Sequence, residues 1–405
     1  MPDLHPPAKT FSFSTKPMPR LVYGLGSLNS IGELCDELLI EGLRSVLIVT
    51  DPGIAKTGHV ERALSAISKE NIQVHVYDRV QENPSESSVQ ECLDFVHGLK
   101  NEIGLIIGLG GGSSMDTAKG LNFLLTNGGC MENYLGYGKA QKSMLPFIAI
   151  PTTAGTGSEC QSFALITNEK THLKMACGDS KVMAVAAVLD PELTVTMPED
   201  VMKCTGIDAI THALETLVSK RSHPYSRHFS KEAFRLLIEN FAKIQDDPGD
   251  IHARGEMLLG AAYAGLAIEN SMLGCAHSCA NPLTAKFDVT HGRAVGVFMS
   301  HVMRHNAEDG GVSCMYGSLA RYAGLCERGM DNKEAVETLI LHVENLCKCV
   351  SLELEAQETC KKKSQFLDVD IQEMAKMAAD QWTAQFNPVT FSHEDFVSIY
   401  KKALG

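Results

Sequence analysis

Short β-branched runs fill the first half of the chain and stop near residue 195, and this break constrains the fold more than any other feature. Residues 45–50 (SVLIVT) read as a buried strand, being short, β-branched and closed by Asp51-Pro52-Gly53. Helical spacing follows at 61–70, a strand at 74–77, a helix at 87–99, and buried strands at 103–109 and 146–150. Strands that alternate with helices imply a mostly parallel sheet covered on both faces. Beyond Leu193 the pattern is helical only, over 198–219, 226–245, 251–270, 291–306, 331–350 and 370–384. An α/β domain over 1–195 and an all-α domain over 196–405 are therefore expected. The boundary falls at 190–198, where LDPELTVTMPED supplies two prolines and a helix start. At 405 residues the chain exceeds what one core usually supports, about 250–300 residues.

The composition excludes several classes. With 44% hydrophobic and 21% charged residues, the chain is neither disordered nor a fibrous repeat. A net charge of −13 argues against a nucleic-acid face, which needs concentrated Lys and Arg. The 13 cysteines are odd in number and form no Cys-x-x-Cys pair, as expected of free thiols in a reducing compartment. The first twenty residues lack an apolar signal region, and no apolar run approaches the ~20 residues that span a bilayer. A cytoplasmic protein without membrane or nucleic-acid partners is expected.

Residues 108–119 read GLGGGSSMDTAK, directly after a strand and opening a helix. The glycines allow close backbone approach to a phosphate, and a helix N-terminus offers free N–H groups. A tight strand-to-helix turn explains the same residues. Asp51, at the end of an earlier strand, either binds the two ribose hydroxyls of a dinucleotide or serves the turn. Residues 151–159 (PTTAGTGSE) follow another strand, so this loop and the glycine turn both lie at the sheet's C-terminal edge, where open α/β sheets bind ligands.

In the helical half, GIDAITHALE (206–215) puts Asp208 and His212 on one helix face. Such a pair binds a cation or makes a side-chain hydrogen bond. His277 in GCAHSCANPL and His291 in VTHGRAVGV complete a plausible set of one carboxylate and three imidazoles, suited to Fe²⁺ or Zn²⁺. His301 and His305 have the same four-residue spacing, so spacing alone ranks them equally with Asp208 and His212. Cys275 and Cys279 point away from the His277 face and read as core residues.

GGGSSMD, PTTAGTGSE, LDP, GIDAITHALE and GCAH…THG, in this order, resemble the iron-containing (group III) alcohol dehydrogenases from about Pro19 to the C-terminus. The resemblance implies a Rossmann-like nucleotide domain and a helical domain in a dehydroquinate-synthase-like architecture, with a metal in the cleft between them. It assigns the metal to Asp208, His212, His277 and His291, and leaves His301 outside the metal shell. It places NAD(H) on Asp51, Gly111, Gly112, Ser113, Asp116, Thr152, Thr153 and Lys174. One divalent metal is implied, Fe²⁺ ahead of Zn²⁺, as is a homodimer or larger homo-oligomer. Asn281 stands where many members carry a second histidine, and Asn387-Pro388-Val389 where many carry Asn-Pro-Arg. Asn281 is accordingly expected to position substrate or water, since it cannot act as a base.

The activity implied is interconversion of an alcohol and an aldehyde or ketone by metal-assisted hydride transfer to or from NAD. A dehydroquinate-synthase-like lyase is the second reading, although the basic cluster for a sugar phosphate is missing. A non-catalytic nucleotide-binding protein with a vestigial site is the third, against which the complete ligand set argues.

Overall fold

The computed structural model describes residues 12–171, 174–350 and 368–404. The α/β half contains β1 (Arg20–Tyr23), α1 (Ile31–Leu38), β2 (Ser45–Val49), α2 (Pro52–Ala55), α3 (His59–Ile67), β3 (Gln73–Tyr77), α4 (Glu86–His97), β4 (Leu105–Gly110), α5 (Gly112–Asn127), β5 (Gly136–Tyr137), β6 (Phe147–Pro151), β7 (Phe163–Thr167), β8 (Lys174–Gly178) and β9 (Ala186–Leu189). Six strands form a parallel sheet in the order β1-β9-β6-β4-β2-β3. Period-2 alternation sends Leu47, Val49, Phe147 and Ala149 to the face covered by α4 and α5. Val46, Ile48, Ile148 and Ile150 go to the face covered by α1 and α3. Cover on both sides is why β2, β4 and β6 read as continuous apolar runs.

The chain passes from β2 outward to β3, then returns to β4 on the other side of β2. Strand order therefore reverses between β2 and β4, and their C-terminal ends flank a topological switch point.

The helical half runs through α6 (Glu199–Val218), α7 (Pro224–Asp246), α8 (Ile251–Asn270), α9 (Cys275–Phe287), α10 (His291–Asn306), α11 (Gly310–Tyr322), α12 (Asn332–Cys347), α13 (Asp368–Ala379) and α14 (His393–Leu404). Its core also takes in Ala154, Cys160, Ala187 and Leu189 from the α/β half, so the halves share apolar contact. The loop after β6 makes the closest approach. Gly157 has φ +63°, and a Cβ there would lie 2.7 Å from the Cα of Gly265 on α8.

At the junction Asp190, fully buried, accepts backbone N–H bonds from Gly26, Leu28 and Glu192, each at 3.1 Å. The LDP motif thus ties the turn after β1 to the end of the sheet.

Several elements depart from the sequence reading. β1, β5, β7, β8 and β9 were not legible; β9 (AAVL) and β8 (KMACG) are poor in β-branched residues and are strands because of their neighbours. The helix expected over 61–70 starts at His59 and tightens into a 3₁₀ turn at Ser68–Glu70. The one expected over 370–384 ends at Ala379. Beyond it the chain is held along α9 instead, with Gln381 accepting from Asn281 at 3.0 Å, Thr383 bonded to Ser278 at 2.7 Å, and Asn387 accepting from the Cys275 N–H at 3.2 Å.

Candidate metal centre and nucleotide crevice

Three helices converge on one carboxylate. α6 carries Asp208 and His212 one turn apart, His277 sits in the first turn of α9, and His291 opens α10. The Nε2 atoms of His212 and His277 each lie 3.2 Å from Asp208 Oδ1, and that of His291 lies 3.8 Å away. Ligand atoms of Asp208, His277 and His291 fall within 4.8 Å of one another. Ile207 and Ile210 on α6 point into the helical core, which fixes the opposite face of α6 toward the cleft. His301 and His305 do not join this group: His301 lies near Glu344, Lys402 and Arg304, and His305 packs edge-on against Phe391 at 4.3 Å. Cys275 and Cys279 are fully buried, as expected of core residues.

The electrostatics suit a cation. Burial alone would raise the pKa of Asp208, but His212, His277 and His291 hold it well below the usual carboxylate range. Burial holds His291 neutral, pushed down to about 3 against the pull of Asp208. It lowers His212 as well, with Asp208 opposing. His277 is the exception: burial disfavours its charge, yet Glu215 and Asp208 raise it to about 9. Without a cation, three imidazoles crowd a single oxygen; a divalent ion satisfies all four groups at once, so the donor set fits Fe²⁺ or Zn²⁺.

Glu215, absent from the sequence-derived site, orients His277. Its Oε2 accepts from His277 Nδ1 at 2.6 Å, and its Oε1 accepts from the Ala276 N–H at 2.7 Å. This carboxylate–imidazole pair leaves Nε2 to face the metal position. The signal was present: 208, 212 and 215 follow i, i+4, i+7 on one face.

Most residues expected to hold the nucleotide gather at the switch point. Asp51 follows β2 by two residues, and Gly110, Gly111 and Gly112 run from the end of β4 into α5, on paired strands. This explains why the acid precedes the glycines in sequence. Of the two roles that sequence left open for Asp51, the structure shows the turn. Its Oδ1 caps α2, accepting from Gly53 and Ile54 at 2.8 and 3.0 Å. Its Oδ2 faces the glycine turn, where the Ser114 hydroxyl lies 3.5 Å away. Gly110 has φ +151°, and a Cβ on it would lie 3.3 Å from Asp51 Oδ2 and collide with Ser114. Gly111, which caps α5, receives no side-chain bond, and Gly111, Gly112 and Ser113 are part exposed.

The 151–159 loop covers this turn. Thr152 donates its N–H to the Gly110 carbonyl at 3.0 Å. Thr153 lies over Gly111, and Thr156, passed over in the sequence reading, lies over Gly112. The same loop reaches α6, where a Cβ on Gly155 would collide with Thr205, and the Gly155 backbone lies near His212. Asp116 sits behind the turn, buried, accepting from Ser158 at 2.9 Å. Lys174 opens to solvent at the cleft, within electrostatic reach of Asp116 and Asp208. Asn281, one turn beyond His277, donates to Gln381.

A nucleotide-type crevice opening onto a carboxylate–imidazole cluster defines a metal- and nucleotide-dependent enzyme. Comparison with known proteins agrees. A family model for iron-containing alcohol dehydrogenase matches residues 18–191, and the C-terminal model of the Fe-containing alcohol dehydrogenase family matches 202–404. Alcohol dehydrogenase 4 of Schizosaccharomyces pombe is 33% identical over 97% of this chain and 91% of its own length. The NAD-dependent methanol dehydrogenase of Bacillus methanolicus is 31% identical over 95% of this chain and 98% of its own. The solved alcohol dehydrogenase from Oenococcus oeni superposes with a TM-score of 0.88 at 28% identity, covering 97% of this chain and all of that one. The chain belongs to the iron-containing alcohol dehydrogenase family and is an oxidoreductase.

Proposed function

We propose that the chain interconverts an alcohol and an aldehyde or ketone, with Asp208, His212, His277 and His291 holding the divalent metal and NAD(H) lying across the switch point. The observation that carries this reading is the convergence of three imidazole Nε2 atoms on Asp208 Oδ1 beside that crevice. A divalent metal held there supplies Lewis acidity toward the substrate oxygen. NAD bound in the crevice would supply the hydride acceptor for alcohol oxidation, and NADH the hydride donor for the reverse.

The chain's own residues bind and orient. The free N–H groups at the start of α5 cradle the pyrophosphate, with Gly111, Gly112 and Ser113 close to it. Asp51 Oδ2 accepts from the adenosine ribose, and Thr152 and Thr153 close the cofactor from the side of β6. Asp116 acts in this by bracing the loop through Ser158, and Lys174 supplies positive charge where the cofactor approaches the metal. Glu215 holds the tautomer of His277. Asn281, fixed by Gln381, positions substrate or water one turn from His277. A homo-oligomer in the cytoplasm is part of the reading. The free cysteines of the described residues support a reducing compartment, and among those residues no helix is long and apolar enough to cross a membrane.

Metal analysis of protein purified without chelator, joined to anaerobic reduction of simple aldehydes with NADH, tests the proposal. About one Fe²⁺ or Zn²⁺ per chain and NADH consumption are expected. Metal-loaded protein that binds NADH yet turns over no carbonyl compound would return the vestigial-site reading.

A further inference from the structure

The small sheet presents one face to the cleft. Phe163 pairs with Gly178, Leu165 with Ala176 and Thr167 with Lys174, while β5 sets Tyr137 beside Gly178. Paired residues share a face, so Tyr137, Phe163, Leu165 and Lys174 lie on the same side. Ala164, Ile166, Met175 and Cys177 fill the core on the other side. Gly178 is obligatory beneath the rings: a Cβ there would come within 2.8 Å of Tyr137 Cδ2 and collide with Phe163. Lys174 marks the inner end of this face by its electrostatic reach to Asp208.

Trp382 meets the face from the helical half. Ring centroids run from Tyr137 to Phe163 at 5.6 Å, Phe163 to Trp382 at 5.9 Å and Trp382 to Phe386 at 5.7 Å. The preceding residue, Gln381, holds Asn281 one turn from His277. Trp382, inside the row, therefore follows directly on the residue that holds Asn281, and the row runs from Trp382 through Phe163 to Tyr137 on one side and to Phe386 on the other. Tyr137, Leu165 and Trp382 remain 42%, 39% and 41% exposed. Cations stand at both ends, Lys16 over Tyr137 at 4.0 Å and Arg221 over Phe386 at 5.6 Å.

We propose that this row is the wall against which the substrate's tail lies, that the enzyme prefers primary alcohols and aldehydes with an extended aliphatic or aryl tail, and that Trp382 determines this preference. The inference rests on the alcohol–aldehyde reading above and deepens it. Phe163 and Leu165 offer no partner for hydroxyl groups, so a polyol loses hydration there without recompense. An alkyl chain gains, and each methylene laid on the rings raises kcat/KM roughly fourfold.

The test uses the metal-loaded enzyme, straight-chain aldehydes from ethanal to octanal with NADH, and the fluorescence of Trp382, the one tryptophan of the chain. Expected are a kcat/KM that climbs with tail length and a saturable fluorescence change with octan-1-ol. Trp382→Ala lowers the octanal-to-ethanal ratio of kcat/KM at least tenfold, and Trp382→Phe restores most of it. A flat profile, or an unchanged ratio in Trp382→Ala, overturns the proposal. If no aldehyde is turned over, the activity reading has failed instead. The fluorescence titration then decides the wall by itself: a saturable response to octan-1-ol upholds it, and its absence overturns it.

Discussion

Glu215 is buried with both oxygens engaged, one on the His277 ring and one on the Ala276 N–H. Removing it frees the His277 ring to rotate and change tautomer while Asp208, His212, His277 and His291 all remain in the chain. Partners of this kind are worth roughly 10–100-fold in metal affinity. Glu215→Ala is expected to lose metal to a chelator at that much lower concentration while NADH binds as in the parent; equal retention would make Glu215 a packing residue. Asp51 needs a different substitution from the one its sequence position suggests. Glycine there removes the cap on α2 together with the charge, whereas asparagine keeps an oxygen for Gly53 and Ile54. A carboxylate ~4 Å from a 2′-phosphate costs about 1 kcal/mol in water and several at protein dielectric. Asp51→Asn should therefore reduce the preference for NAD over NADP in kcat/KM by roughly tenfold, at ~1.4 kcal/mol per decade. An unchanged ratio would place Asp51 away from the ribose.

The 151–159 loop is the element on which both halves of the site depend. It covers the glycine turn through Thr153 and Thr156, and packs on Thr205 of α6 through Gly155, near His212. Its position against α8 is fixed where Gly157 meets Gly265. Alanine at 157 adds both a left-handed strain and a backbone collision, together about 2–4 kcal/mol. Gly157→Ala should lower the melting temperature and raise the Kd for NADH, because the loop must lift from α8; a stable variant with parental NADH affinity would show that the loop adapts independently. The place of this loop beside the glycine turn at the sheet's C-terminal edge was legible in the sequence. Its second contact, with α6, was not, because nothing in PTTAGTGSE encodes that α6 lies beside it.

Across the whole molecule, a buried polar layer joins α5, this loop and α8. Lys119, fully buried, donates to the Ser158 carbonyl at 2.6 Å, the Ser158 hydroxyl at 2.8 Å and the Phe163 carbonyl at 3.0 Å. Glu269 on α8 accepts from the N–H and hydroxyl of Ser162 at 2.9 and 2.7 Å. Glu159 lies between them at 1% exposure; burial lifts its carboxyl to about 7, with Lys119 opposing only in part. A carboxyl whose native pKa exceeds its unfolded value, about 4.3, binds its proton more tightly when folded. Its contribution is therefore complete below pH ~4.3 and is lost as pH rises through 7. Between pH 5 and 8 the parent should lose roughly 2–3 kcal/mol that Glu159→Gln retains. Denaturation at the two pH values, with metal content matched, checks this; parallel curves would mean that Glu159 does not titrate in this range.

The sequence by itself determined the α/β-then-helical architecture and the three central strands, and it singled out Asp208, His212, His277 and His291, which the fold brings together. Hydrophobic period and local turn chemistry specify elements such as β2 and α8, and ordered motifs identify the family. Tertiary structure alone decided the rest. β9 became a strand because β1 and β6 offer it hydrogen bonds on both sides, although its alanines favour none. The segment past Ala379 left its helix because α9 supplies partners for Gln381, Thr383 and Asn387. Glu215, Thr156 and Trp382 acquired their places from helices and strands distant in the chain. Spacing encodes which residues share a face; only packing encodes what that face meets.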